Sequence, residues 1–227
     1  MKGNEIRRIV IEQAYRTNSG HIGSCLSVAD ILADLYGGRL RGLGPNDPQR
    51  DRFVLSKGHA AFALYAALHL RGWLTADELV EACKHGHPDY RTPGVEFSTG
   101  SLGMGITYAV GQAYALRGTG VNVYCLVSDA ECQEGSVWEA ARFAAEARLS
   151  NLTVIVDANG MQALGPIDNT RLMAKWLAFG WSALGGPTIV ISPTRAGSGV
   201  SFMEGRLAWH YSTMSEEQYR QALAELA

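Results

Sequence analysis

The sequence predicts an α/β fold with a mainly parallel sheet flanked by helices. Three observations carry that reading. Short β-branched runs alternate with amphipathic or alanine-rich segments along the chain. Val121 to Val127, Val137 to Leu149 and Leu152 to Asp157 read as strand, helix and strand, with lengths that suit a parallel crossover. No internal repeat or low-complexity stretch interrupts the 227 residues, and 47% hydrophobic content suffices for one large core, so a single domain over residues 1–227 is expected.

Taken in order, Glu5 to Tyr15 predicts a helix with Ile6, Ile9, Val10 and Ala14 on one face. A polar loop, Thr17 to Gly23, follows. Ser27 is expected to cap a second helix running to about Tyr36. Gly37 to Asp51 is rich in Gly, Pro and Asn and predicts a loop. Phe53 to Leu55 is a short strand, and Ala60 to Leu68 belongs to a buried, alanine-rich helix. Thr75 starts another helix, with Asp77 and Glu78 in its first turn. His85 to Leu102 has no clear periodicity, and long loops in a compact domain tend to be functional. Gly103 to Leu116 is a small-residue helix. Thr188 to Ser192 is a further strand, and Ser215 to Leu226 a closing helix.

The net charge of −2 gives no electrostatic case for nucleic acid or an anionic membrane. No apolar run approaches the roughly 20 residues of a spanning helix. Met1 to Val10 lacks signal-peptide architecture. Cys25, Cys83, Cys125 and Cys132 match no zinc spacing and are expected as reduced thiols, which predicts a cytoplasmic protein.

In an open parallel sheet, ligands sit beyond the carboxyl ends of the strands. Two loops leave the central unit there: Ser128 to Gly135, and Asp157 to Gln162. Asp129 and Asn159 are therefore expected side by side, although about 30 residues apart. Their hard oxygens suit Mg²⁺ or Ca²⁺ together with phosphate oxygens. Amides at the start of the crossover helix offer further anion binding. On spacing alone, a capping role for Asp129 and a turn role for Asn159 explain the pair equally well. A nicotinamide-dependent fold is disfavoured because no Gly-x-Gly-x-x-Gly follows the first strand of a βαβ unit.

Several motifs in order resemble the transketolase family. Asp129 followed by Asn159 resembles its thiamine-diphosphate motif. Other stretches that match are Glu134-Gly135, Trp138-Glu139-Ala140, Ser19-Gly20-His21, Asp51 to Ala60, Gly86-His87-Pro88-Asp89 and Ser98 to Gly103. The match runs with gaps from about Ile6 to His210, and is nearest to the N-terminal subunits of split transketolases.

The resemblance implies a thiamine-diphosphate-binding fold and a two-carbon ketol transfer. It implies metal ligation by Asp129, Asn159 and the carbonyl of Met161. It places His59, Ala130, Glu131 and His210 near the diphosphate, and Gly100 and Leu102 against the aminopyrimidine. His21, His59 and His87 become the catalytic imidazoles around a ketose donor. His69 and His85 are read as structural and surface residues.

The glutamate that activates thiamine lies in a second, pyrimidine-binding domain, for which 227 residues leave no room. The resemblance therefore implies a C-terminal, pyrimidine-binding partner subunit, in an α₂β₂ assembly. The acceptor is an aldose phosphate or a lipoyl or acyl-carrier thiol on a carrier protein. Three departures stand out. Ser128-Asp129-Ala130 replaces Gly-Asp-Gly, and alanine costs about 1 kcal/mol if position 130 needs a positive φ. Gly23-Ser24-Cys25 replaces Gly-Gly-Ser. The chain is trimmed near residues 181–187, where the family has a strand, a helix and a linker, and Arg195 to Gly199 replaces a lysine-rich Lys-Gly-Lys-Gly. These edits leave one alternative, a non-catalytic scaffold that has lost cofactor binding.

Overall fold

The computed structural model describes residues 1–227. Its spine is a four-stranded parallel sheet: β1 (Arg52–Leu55), β2 (Val123–Ser128), β3 (Leu152–Ala158) and β6 (Thr188–Pro193), in the order β1-β2-β3-β6. The register sets Leu55 beside Leu126, Ser128 beside Asp157, and Asp157 beside Ser192. All carboxyl ends therefore reach one edge. A two-stranded antiparallel hairpin, β4 (Met161–Gln162) with β5 (Gly165–Pro166), stands beyond β3.

Side-chain alternation divides the interior into two cores. Phe53, Leu55, Leu126 and Ile155 face Ile6, Val10, Leu26 and Leu64. Those residues come from α1 (Gly3–Thr17), α2 (Ile22–Ser27) and α4 (Ala61–Leu70). α3 (Ala29–Asp34), α5 (Ala76–Cys83) and α9 (Glu216–Glu225) complete that layer. Val54, Cys125, Val127, Val154 and Val156 face the opposite way, onto α6 (Met104–Ala115), α7 (Gly135–Glu146) and α8 (Leu172–Ala178). α4 is buried all round from Ala61 to Leu68, which is why its alanines show no polar face. Thr75 and Ser215 cap α5 and α9, each in a reciprocal pair with the residue three places on.

Four expectations need correction or completion. Ser27 caps no helix; it ends α2, and its Oγ donates to Ser24 O (3.0 Å) and to Asp157 (2.8 Å). The segment predicted as loop from Gly37 begins inside a π-helical turn, Leu35–Arg39. α8 is unforeseen, although Leu172 and Trp176 are buried one helical turn apart. The trimmed stretch folds as a tight turn. Trp181 is buried with its indole N–H on Ala141 O (2.9 Å), and Ser182 N–H donates to Pro187 O (2.8 Å). The chain thus passes straight into β6, which becomes the outer edge of the sheet. The four cysteines are buried free thiols, and no helix is long and apolar enough to cross a membrane.

Candidate active site

A cavity of about 360 Å³ opens at the carboxyl edge of the sheet. One wall is imidazole. The ring of His21 lies 5.6 Å from that of His59, 6.2 Å from His87 and 4.8 Å from His210, and His59 is 5.6 Å from His210. Four loops far apart in sequence deliver these rings. His21 N–H donates to His210 O (3.0 Å), tying two of the loops together. Tyr65 donates its hydroxyl to His87 O (2.8 Å), fixing the third. Gly58 lets the Lys57–Ala60 turn pass against Thr99, where a Cβ would meet backbone at 2.8 Å. That approach places Gly100, which packs on the His87 ring, and Leu102 on the same cavity.

His21 is the strained member. It sits at φ 59°, ψ 18°, a left-handed conformation costly for a side-chain-bearing residue, and its buried Nδ1 has no hydrogen-bond partner. Burial, then the neighbouring imidazoles, lowers its pKa from 6.5 to about 4. Burial also lowers His59, well below its ordinary value, and His210. These three rings are neutral near pH 7 and can each donate and accept. His69 is a structural residue whose Nδ1 pairs with Leu74 O (2.9 Å), and His85 is exposed.

Ser128, Ala130, Asn159 and Met161 line the other end of the cavity. Asp129 lies just beneath, 1% exposed. Its Oδ1 accepts from Ala130 N–H (2.9 Å), and its Oδ2 from Gly160 N–H (2.7 Å) and Asn169 Nδ2 (2.7 Å). Burial raises its pKa, with the Asn169 and Gly160 donors acting against that rise. Asn159 Oδ1 accepts from Met161 N–H (2.9 Å), and its Nδ2 donates to Asp157 (3.0 Å). Ala130 has φ −60° and ψ −41°, so the expected alanine strain does not arise. In the loop before the crossover helix, two amides are spent locally: Glu131 N–H on Ser128 Oγ (3.1 Å), and Ala130 N–H on Asp129.

Two site acids take roles that differ from the sequence reading: Asp157, read only as the end of a strand, and Glu131, expected near the diphosphate. Asp157 is fully buried, ion-paired with the buried Lys57, and also accepts from Ser27, Asn159 and Thr194. It joins α2, β1, β3 and β6 beneath the cavity. Glu131 is fully buried too and does not line the cavity. It accepts from Ser56 Oγ (2.6 Å), Gly103 N–H (2.9 Å) and Ser128 N–H (2.9 Å), so it acts on the site through the loops it holds. A buried charge flanked by loop serines is the signal that could have exposed both.

The donor set fits a hard divalent cation. Asp129 is a buried carboxylate with no cationic side chain paired to it, and Gly160, whose N–H it accepts, is flanked in the chain by Asn159 and Met161, which carry amide and carbonyl oxygens. No three carboxylate, imidazole or thiol groups converge as a cage, so such an ion would need phosphate oxygens from a ligand.

A parallel α/β sheet with a cavity at its carboxyl edge, lined by hard oxygens and neutral imidazoles, defines a ligand-binding α/β domain. The chain matches the thiamine diphosphate binding domain of transketolase over residues 2–186, and it belongs to the transketolase family. It is 37% identical to the 6-deoxy-6-sulfo-D-fructose transketolase subunit SqwG of a Clostridium species, covering 99% of this chain and 94% of that one. It is 34% identical to one of the subunits of the apulose-4-phosphate transketolase of Phocaeicola vulgatus, covering 100% and 93%. The crystal structure of Campylobacter jejuni transketolase superposes with a TM-score of 0.88 at 30% identity. That superposition covers 99% of this chain but 42% of the other, so the chain spans about two-fifths of a solved transketolase chain. The SqwG alignment runs over 261 positions against 227 residues here, in keeping with a trimmed chain.

Proposed function

We propose that this chain is the diphosphate-binding subunit of a split thiamine-diphosphate transferase. It moves a two-carbon ketol unit from a ketose to an acceptor. The observation that supports this best is the gathering of His21, His59, His87 and His210 on one cavity wall, opposite Asn159 and Met161.

Thiamine diphosphate, when bound, supplies the thiazolium that stabilises a carbanion. Asp129, Asn159 and the Met161 carbonyl hold Mg²⁺ or Ca²⁺ for its diphosphate. The backbone of Gly100 and Leu102 faces its aminopyrimidine. His21 and His59 stay neutral, so they hydrogen-bond a donor diol without fixing charge and carry protons to and from its hydroxyls. The pyrimidine-activating glutamate comes from a partner subunit, with the cofactor at the interface of an α₂β₂ assembly. The two relatives are named for a sulfonated and a phosphorylated ketose, which favours an anionic ketose here. The acceptor is an aldose or a lipoyl or acyl-carrier thiol, and a carrier domain encoded with the partner separates these. Unstrained Ala130 removes one ground for a cofactor-free scaffold.

The test is titration of thiamine diphosphate and Mg²⁺ into the co-purified pair, with Asp129→Ala as control. Saturable binding that Asp129→Ala weakens is expected. Absence of binding, or equal binding by the variant, refutes the reading.

A further inference from the structure

The charge around the cavity poses a problem for an anionic ligand. Lys57 lines the cavity but is ion-paired with Asp157. His21, His59 and His210 are held neutral by burial. Asp129 beneath the wall and Glu134 on it add carboxylates. One divalent ion leaves a multiply charged diphosphate short of positive partners.

Arg206 is the one arginine on the cavity. Its side chain is exposed and makes no ion pair or hydrogen bond within the protein, whereas neighbouring Arg195 is engaged with Glu204 (3.2 Å). Gly205 N–H donates to Ala196 O (2.8 Å), so Arg206 leaves the backbone directly beside the Arg195 to Gly199 segment. That segment is where the lysine-rich pattern is lost: matching Gly197 and Gly199 puts Ala196 and Ser198 at the lysine positions. One limb of the loop pair has shed charge, and the other presents an unengaged guanidinium to the same cavity.

We propose that Arg206 is a cofactor-binding residue that clamps the terminal phosphate of the diphosphate. The proposal rests on the thiamine-diphosphate reading above. A guanidinium presents paired N–H donors to phosphate oxygens, which a lysine in its place would do less well.

The experiment measures equilibrium binding of thiamine diphosphate, and of inorganic pyrophosphate as competitor, at saturating Mg²⁺. It uses the co-purified pair, with Arg206→Ala, Arg206→Lys and an Arg142→Ala control in the exposed pair with Glu146. Circular dichroism and melting check that each variant is folded. Arg206→Ala is expected to weaken both ligands by about tenfold or more, Arg206→Lys to recover part of that, and the wild-type Kd to rise with salt more steeply than the alanine variant's. Equal Kd values for wild type and Arg206→Ala overturn the proposal while leaving the function intact. A change confined to the KM of the ketose donor also overturns it, by moving Arg206 to the substrate. No binding by the wild type overturns both.

Discussion

Replacing Lys57 with methionine tests the idea that the site floor is held by one buried charge pair. Asp157 is fully buried, and Lys57 supplies its only cationic partner. Removing one member of a buried pair costs about 3–5 kcal/mol, because the other charge is left uncompensated. Asp157 keeps hydroxyl donors from Ser27 and Thr194 and an amide donor from Asn159, so the lower figure applies, about 3 kcal/mol. With a urea m-value near 2 kcal/mol/M, the midpoint should fall by roughly 1.5 M at unchanged m. The pair Lys57→Met and Asp157→Asn, with the double variant, gives the coupling. Substituting both should cost less than the two single costs combined, by about 1–3 kcal/mol. A midpoint shift below about 0.5 M, or purely additive costs, would refute the argument.

Further expectations follow from the same geometry. His21 has a folded pKa of about 4, below its ordinary 6.5, so the unfolded chain takes up its proton first as pH falls. Stability is therefore lost between pH 6.5 and about 4, and His21→Gln should flatten that arm of the urea-midpoint profile; an unaltered arm contradicts it. Ala130→Gly should lower stability by about 0.5–1 kcal/mol, since Ala130 is right-handed helical and glycine relieves nothing. A rise in Tm would show that the loop wants a left-handed residue. Glu131→Gln places an NH₂ among donors from Ser56, Gly103 and Ser128, so melting should show a loss of about 2–3 kcal/mol. Faster hydrogen exchange at Gly103 should accompany it.

The parallel crossover is legible in the sequence because strand and helix periods differ and Leu152 to Asp157 is β-rich. Thr75 and Ser215 are legible because capping is chemistry local to four residues. Ser27 misleads for the complementary reason: its partner, Asp157, lies 130 residues away. Asp157 and Glu131 look like loop acids in sequence, and only tertiary packing shows them buried. α8 does carry a local signal, Leu172 and Trp176 one turn apart after the polar Asp168-Asn169-Thr170, but seven residues make a weak period. Topology alone puts Asp129 and Asn159 at one sheet edge. That Asn169 shares Asp129 is not readable, because the intervening hairpin has no regular pattern.

The shortened turn after Trp181 leaves β6 without an outer neighbour, and Val190 on it is 43% exposed. An uncovered strand is a template on which strands of other molecules can add. Here the template is bracketed by imino acids. Pro187 precedes the strand and Pro193 ends it, and neither has an N–H to offer. Ile189 N–H is already directed at Ser182 Oγ (3.4 Å). What is left is a window of two or three residues, too narrow to seed a fibril yet wide enough for a brief encounter. The same short segment that carries the open border thus also limits how far that border can be copied.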